Sequence, residues 1–347
     1  MLIIEEIETE IPVYDITVEG NHNFYANDIL VHNCTEIALP TIPVDCEDTS
    51  RGEIALCTLG AINVGRVGDI DSPRVQAEIA RLCEIAVRAK DALLSYQDYP
   101  MPESERSVNR FRPLGFGVIG FAHWLARNNL RWGTEECLER VNKLQELIAH
   151  SLISASCKLA EEFGPCETTR YHSGWLPWDD SPVKMTKHLD WEPLRERLRT
   201  YGIRNATLMA QMPSETSSIL SNETNGIEPP KNLVTAKSSA DGVLPQLVPE
   251  YAKLKDQYQT LWSVRCEDYI RTIAVLQQYT DQAISANTSY DPATCPVDPE
   301  TGKLPLSHLA KDVVLAYKLG LKTLYYCIVN DERRIVDDDC SSGACKI

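Results

Sequence analysis

The feature that most constrains the fold of this chain is a hydrophobic period that changes repeatedly along it. Asp71-Ser-Pro73 supplies a cap and a first-turn proline, and behind it Val75, Ile79, Leu82, Ala86, Ala89 and Leu93 recur at helical spacing. A second helical run passes through Leu138, Val141, Leu144, Leu147, Ile148, Leu152 and Cys157 and stops near Gly164. Shorter helices are predicted over 191–201 (ended by Gly202), 250–262, 268–284 and 308–319 (stopped by Gly320). Strand-like stretches fall between them at 206–212, 233–236 and 322–329. Helices alternating with short apolar strands define an α/β chain.

Residues 1–33 have a different character. Positions 11–18 alternate like a strand, Glu19-Gly-Asn21 reads as a turn, and 24–26 and 29–31 are further short strand candidates. The chain has 347 residues, enough for about two units. Acidic side chains number 50 against 34 basic ones, a net charge of −16, which excludes general nucleic-acid binding and disfavours anionic membrane surfaces. The longest apolar stretch, 116–126, is too short to span a bilayer. The start lacks the basic and apolar regions of an export signal, so a cytoplasmic location with mostly reduced thiols is expected for the 12 cysteines.

Two groups of residues carry chemistry. In the first, His32, Asn33 and Cys34 are consecutive, with His22 upstream. An Asn side-chain amide can attack its own carbonyl and cut the chain after itself. A neighbouring His can protonate the leaving group, and a Cys immediately downstream can take part in acyl transfer. The run Val13-Tyr-Asp-Ile-Thr-Val18, His22-Asn-Phe24 and Asn27-Asp-Ile-Leu-Val-His-Asn-Cys34 resembles the C-terminal splicing region of an intein. With Met1 only about a dozen residues ahead of this block, it looks like the C-terminal half of a split intein. That resemblance implies an upstream partner half that hands its acyl group to Cys34. Asn33 would then cyclise with help from His32, while His22 assists the acyl shifts. The plainer alternative is a β-rich leader whose histidines are structural.

In the second group, Cys34 and Glu36 lie two residues apart and share one face of an extended segment. Cys57 adds a thiol from an apolar strand. Pro213, Ser214, Glu215, Thr216, Ser217 and Ser218 form a turn that can offer N–H groups to phosphate, or serve as a plain helix cap. Tyr325 and Tyr326 are adjacent in an apolar strand, a pattern that usually means core packing. Cys340 and Cys345 sit in an acidic, Gly-containing tail and suit thiol–disulfide exchange better than zinc, which would want four ligands. His123 and the remaining histidines are scattered without ligand spacing, and the other cysteines are expected to pack or lie at the surface.

Residues 34–347 resemble the C-terminal part of the large (alpha, catalytic) subunit of class I ribonucleotide reductases. The matching runs are Cys34-Thr-Glu-Ile-Ala-Leu-Pro40, Gly52-Glu-Ile-Ala-Leu-Cys57, Ser95-Tyr-Gln-Asp-Tyr-Pro100, Met212-Pro-Ser-Glu-Thr-Ser-Ser218, Thr224-Asn-Gly-Ile-Glu-Pro-Pro230, Ser285-Ala-Asn-Thr-Ser-Tyr-Asp291 and Lys322-Thr-Leu-Tyr-Tyr326. The resemblance implies the C-terminal half of a ten-stranded α/β barrel over residues 34–330, preceded by a small all-β intein segment (1–33) and followed by a flexible redox tail (331–347). By the same resemblance, Cys34 becomes a thiyl radical that takes the 3′ hydrogen of a ribonucleoside diphosphate, and Glu36 accepts the 3′-hydroxyl proton. Cys57 is one of two reducing thiols. Glu215, Thr216 and Ser217 belong to the loop holding the diphosphate. Tyr325 and Tyr326 carry the radical from a small (beta) subunit, whose tyrosyl-radical dimetal centre would be the only metal involved, with no cofactor bound by this chain. Cys340 and Cys345 re-reduce the site and are recharged by thioredoxin or glutaredoxin. From Tyr326 to Cys340 the tail can span up to ~46 Å at roughly 3.3 Å per extended residue.

The resemblance also implies that the second reducing cysteine, an active-site asparagine and the nucleotide effector sites belong to an upstream part. Cys34 would then serve twice, first as acyl acceptor and later as radical carrier. Three other readings fit the sequence less well. A non-enzymatic remnant would not need every reactive residue. An adenosylcobalamin-dependent reductase would not need a tyrosine relay. In a glycyl-radical enzyme the glycine lies in a buried C-terminal loop, whereas Gly343 lies in a thiol tail.

Overall fold

The computed structural model describes residues 23–26, 29–32, 35–44, 50–56, 58–239, 242–295, 297 and 304–330, with 23–26, 29–32, 236–239 and 242–245 described through their backbone. The strands are β1 (Asn23–Ala26), β2 (Ile29–His32), β3 (Thr58–Asn63), β4 (Leu114–Ile119), β5 (Val234–Ser239), β6 (Gly242–Leu247), β7 (Thr288–Tyr290) and β8 (Cys327–Val329). The helices are α1 (Pro73–Tyr96), α2 (Pro102–Phe111), α3 (Phe121–Arg127), α4 (Glu135–Phe163), α5 (Glu192–Tyr201), α6 (Glu215–Leu220), α7 (Tyr251–Leu254), α8 (Cys266–Tyr279) and α9 (Leu306–Lys318).

α4 organises the helical layer. Thr134 caps it by accepting from the Cys137 N–H at 3.3 Å, two glutamates occupy its first turn, and Gly164 ends it at φ +86°. Its buried face, which includes Val141, Leu144, Ile148 and Leu152, packs against α1 and α8 in one continuous core. Glu146, fully buried in its middle, accepts from the backbone N–H groups of His188 and Leu189 and from the Trp191 indole at 2.8 Å. A charge in that position is tolerable because donors surround it.

Beneath the helices, extended stretches lie parallel in chain order. β3 pairs with β4 from Thr58↔Leu114 to Asn63↔Ile119. The far edge of β4 takes residues 207–210, with the N–H groups of Leu114 and Phe116 reaching the Thr207 and Leu208 carbonyls at 3.1 and 2.7 Å. Residues 209–211 in turn meet 282–285, where Gln282 donates to Met209 at 3.0 Å and Ser285 to Gln211 at 3.0 Å. β7, continuing that stretch, pairs with β8 from Thr288↔Cys327 to Tyr290↔Val329. Helical crossovers joining parallel neighbours are what alternating periods require. The stretches form an open array with no closed barrel among the described residues, so the half-barrel expectation is met only as parallel order. Near one end, the Asp281 carboxylate accepts from the Leu208 and Met209 N–H groups and the Tyr171 hydroxyl, and Lys322 caps the carbonyls of residues 280–282.

Several sequence expectations need correction. Ser72 makes no side-chain cap bond. The inward face of α1 carries Ile79, Cys83, Val87 and Leu94, leaving Leu82 and Leu93 exposed, because adjacent positions sit about 100° apart around a helix. The helix expected over 250–262 shrinks to α7, since Tyr258 turns back into a small cluster with Ala126 and Val248 and donates to the Pro249 carbonyl at 2.9 Å. The helix expected to reach 284 ends at Tyr279, because the backbone beyond is taken up by neighbouring strands. The strand over 322–329 is regular only at β8. β3, β4, β6, β7, α2 and α3 have no counterpart in the sequence expectations, while the strand candidates 24–26 and 29–31 form β1 and β2, which pair antiparallel from Asn23↔His32 to Ala26↔Ile29. The predicted strand over 11–18 and the tail 331–347 lie outside the described residues.

A buried ion pair joins the two layers. Arg112, at φ +46° after α2, donates to the Asp91 carboxylate at 2.7 Å and to the Asp91 carbonyl at 2.6 Å, and Asn205 donates to the same carboxylate at 3.0 Å. Removing one partner leaves the other charge buried. Asp91→Ala should therefore destabilise the chain by about 3–5 kcal/mol, read from the denaturant midpoint of unfolding.

Candidate active site

Glu36 reaches the parallel array from far away in sequence. Its carbonyl accepts from the Ala283 N–H at 2.8 Å, and the Ala38 N–H donates to Gln282 Oε1 at 2.9 Å. Glu36 is 0% exposed, and Ser285 Oγ donates to its Oε2. Ser285 has one hydroxyl proton, so the Thr35 N–H and hydroxyl, both 3.2 Å away, act as its donors. Glu36 Oε1 is buried with no partner among the described residues. The same holds for Gln211 Nε2, on the strand whose carbonyl accepts from the Ser285 N–H. A buried carboxylate oxygen with a free lone pair can accept a proton from an incoming hydroxyl.

The next residues on the same stretch hold the tyrosine pair. Tyr325 N–H donates to the Ala286 carbonyl at 2.8 Å, and Tyr326 N–H donates to Asn287 Oδ1 at 3.0 Å. The two rings are 3.8 Å apart at 41°, and the Tyr325 hydroxyl donates to that of Tyr326 at 2.8 Å. Neither ring is deeply buried. The rings are therefore in close, tilted contact and joined by a hydroxyl–hydroxyl hydrogen bond, a step beyond ordinary core packing.

The serine-rich turn lies beside them. Ser214 precedes α6, a helix of only 6 residues, so the turn rather than a long helix dipole is what it can offer to an anion. Ser214 and Ser218 are buried, Pro213 and Glu215 partly so, while Thr216 and Ser217 face solvent. Asn225 braces the turn: its Oδ1 accepts from the Ser214 N–H at 2.8 Å, and its Nδ2 donates to Glu215 Oε1 at 3.0 Å and to Glu228 Oε2 at 3.4 Å. Asn287 Nδ2 donates to the other Glu228 oxygen. A cleft lined by Glu215, Ser218, Asn225, Glu228, Pro229 and Ile328 opens over this network.

Glu228 keeps some solvent contact at the cleft but is otherwise enclosed. Burial, and then the neighbouring Glu215 charge, push its carboxyl up to about 7, against the opposing Asn287 hydrogen bond.

A second polar knot backs the cleft. His123, expected to be an unremarked structural residue, is 1% exposed, with Nδ1 2.7 Å from Glu223 and Nε2 3.3 Å from Glu250. Arg66 also donates to Glu223 at 2.8 Å. A Cβ on Gly65 would come within 2.2 Å of Glu223, so only glycine lets the backbone pass this pair.

The structure thus brings together Glu36, Tyr325, Tyr326 and the turn 213–218. Cys34, Cys57, Cys340, Cys345, His22 and Asn33 lie outside the described residues, and His32 is described through its backbone in β2. Ser285, Asn287, Gln282, Asn225 and Glu228 had no assigned role in the sequence. Their signal was present in the polar runs Ser285-Ala-Asn287 and Thr224-Asn-Gly-Ile-Glu228, set within apolar surroundings. No group of three or more metal-binding side chains is placed to hold an ion, and no helix is long and apolar enough to cross a membrane, among the described residues.

With parallel strands converging on a buried acid and a tyrosine pair, the chain belongs to the ribonucleotide reductase barrel-domain family, whose model matches residues 12–327. The match begins within the segment expected to be an intein. The chain is 46% identical over 328 residues to the ribonucleoside-diphosphate reductase subunit alpha of Haemophilus influenzae, covering 90% of this chain and 42% of that one. It is 42% identical over 335 residues to the subunit alpha of Buchnera aphidicola from Schizaphis graminum, covering 90% and 43%. It is 45% identical over 273 residues to the ribonucleoside-diphosphate reductase 1 subunit alpha of Escherichia coli, covering 73% and 35%. The chain spans less than half the length of these relatives.

The raised Glu228 carboxyl has a consequence for stability. A folded-state value of about 7 against an ordinary 4.5 gives a contribution that is complete below the ordinary value and lost as pH rises through about 7. Wild-type stability measured against Glu228→Gln should therefore fall by on the order of 2 kcal/mol between about pH 4 and pH 8, allowing for solvent at the cleft. Denaturant unfolding of both proteins across that range checks it.

Proposed function

We propose that residues 34–330 form, with an upstream part like that of the relatives, the catalytic portion of a class I ribonucleoside-diphosphate reductase large subunit. The observation that carries this is the fully buried Glu36 carboxyl held by Ser285, one residue before the Ala286 carbonyl that anchors Tyr325. An acid and a hydrogen-bonded tyrosine pair held by neighbouring residues of one stretch are what a hydroxyl-deprotonating, radical-fed site requires.

In this proposal Tyr326 and Tyr325 pass the oxidising equivalent delivered by a small subunit to Cys34, each tyrosine giving up an electron and a proton. The Cys34 thiyl takes the 3′ hydrogen of a bound ribonucleoside diphosphate. Glu36 takes the 3′-hydroxyl proton through its unpartnered oxygen. The 2′-hydroxyl leaves as water, Cys57 and a second thiol supply two electrons and become a disulfide, and Cys34 returns its hydrogen. Cys340 and Cys345 then exchange with that disulfide and are reduced by thioredoxin or glutaredoxin. The diphosphate rests on the turn 213–218.

Residues 1–33 act as the C-terminal half of a split intein. Support comes from the run ending His32-Asn33-Cys34 and from the hairpin Asn23–His32 that leads into it. Cys34 then accepts the upstream acyl group before it carries a radical.

Two measurements test the proposal. In the assembled enzyme, Glu36→Gln should lower deoxynucleotide formation by at least about a hundredfold while nucleotide binding holds; a variant of normal rate defeats the assigned role. On mixing with the upstream half, intact mass should show a ligated product for the wild type and none for Asn33→Ala. Reduction by an unligated Asn33→Ala mixture would remove splicing from the account.

A further inference from the structure

Resting on that reading, the geometry points to a physical link between the diphosphate turn and the tyrosine pair. We propose that Asn225, Glu228 and Asn287 form a hydrogen-bonded bridge through which occupancy of the turn 213–218 sets the backbone position of Tyr326, making Glu228 and Asn287 positioning residues for radical transfer.

Each link of the bridge is direct. Ser214 N–H donates to Asn225 Oδ1 at 2.8 Å, Asn225 Nδ2 donates to Glu228 Oε2 at 3.4 Å, Asn287 Nδ2 donates to Glu228 Oε1, and Tyr326 N–H donates to Asn287 Oδ1 at 3.0 Å. The two amides grip opposite oxygens of one carboxyl group. A shift of the turn therefore reaches Tyr326 without crossing a flexible segment or a long side chain. A second arm ties Glu215 to the same Asn225 amide at 3.0 Å, so a diphosphate arriving near Glu215 acts on the bridge at its first member. The cleft runs along the same line, from Glu215 and Ser218 to Ile328, two residues past Tyr326. Asn287 sits between the Ala286 carbonyl that holds Tyr325 and the Thr288 N–H that donates to the Tyr326 carbonyl at 2.8 Å. Its side chain is thus the place where the tyrosines can be moved as a pair. Coupling of this kind needs two sites and a physical element that both bias, and here the element is four hydrogen bonds long.

The test uses the assembled large subunit with 3-fluorotyrosine at position 326, followed by fluorine NMR during titration with cytidine diphosphate. In the wild-type background the nucleotide should shift or broaden the signal. Asn287→Ala should bind cytidine diphosphate within about threefold of wild type yet lose about tenfold of the spectral response. Glu228→Ala cuts the same bridge one link away and carries the same expectation should Asn287→Ala fail to fold. The double variant should lose no more than either single one, because members of one chain are not additive. A turnover assay with the small subunit should show kcat falling with KM little changed. A nucleotide-binding Asn287→Ala protein that keeps the full response, or losses that simply add in the double variant, overturns the coupling alone. A wild-type protein that binds no cytidine diphosphate overturns the reductase reading, and the coupling with it.

Discussion

The structure depends on one stretch of backbone, residues 282–290, being bonded from several sides at once. Gln282 and Ser285 donate to the extended stretch at 209–211, Ala283 donates to Glu36, Ala286 and Asn287 receive the tyrosine pair, and β7 pairs with β8. Buried backbone groups must find partners, and two of these partners are Glu36 and Tyr325 themselves. Bonds that complete the fold therefore also set the position of the candidate site residues. The helical layer, centred on α4, supplies the burial that makes them strong.

Charge is handled consistently. Asp91, Glu146, Glu223 and Asp281 are all enclosed, and each is met by several N–H or O–H donors. Glu36 differs. One oxygen takes the Ser285 hydroxyl and the other has no partner among the described residues. Among the described residues Glu36 Oε1 is the buried carboxyl oxygen without a partner, an open acceptor with room in its hydrogen bonding for a hydroxyl.

Much of this was legible in the sequence. The long periodic runs locate α1 and α4, because amphipathic spacing over several turns has few other readings, and the glycine stops at Gly202 and Gly320 mark the ends of α5 and α9. The motifs single out Glu36, the tyrosine pair and the turn 213–218, and hydrogen bonds link the stretches that hold them. Less legible were the short strands. β4 is buried throughout and shows no alternation, so its six apolar or glycine residues carry no period. The end of α8 is not legible because Ala283 and Ile284 continue an apolar pattern whose fate is decided by neighbours 39 or more residues away, and no local signal encodes those. His123 was read as bland because its partners, Glu223 and Glu250, lie about a hundred residues on, and only folding brings them together.

The tie between Glu36 and Ser285 joins positions 249 residues apart. During synthesis the acid leaves the ribosome 249 residues before its anchor, so it waits in water beside an unpaired segment until that anchor is made. The helices and the first parallel strands can form behind it, each from nearby chain. Only when the stretch around Ser285 emerges and pairs can the early segment be drawn in and dehydrated. Burial of the acid is in this way deferred until the stretch around Ser285 is made, and a polypeptide terminated before it retains a scaffold whose acid has nothing to hold it.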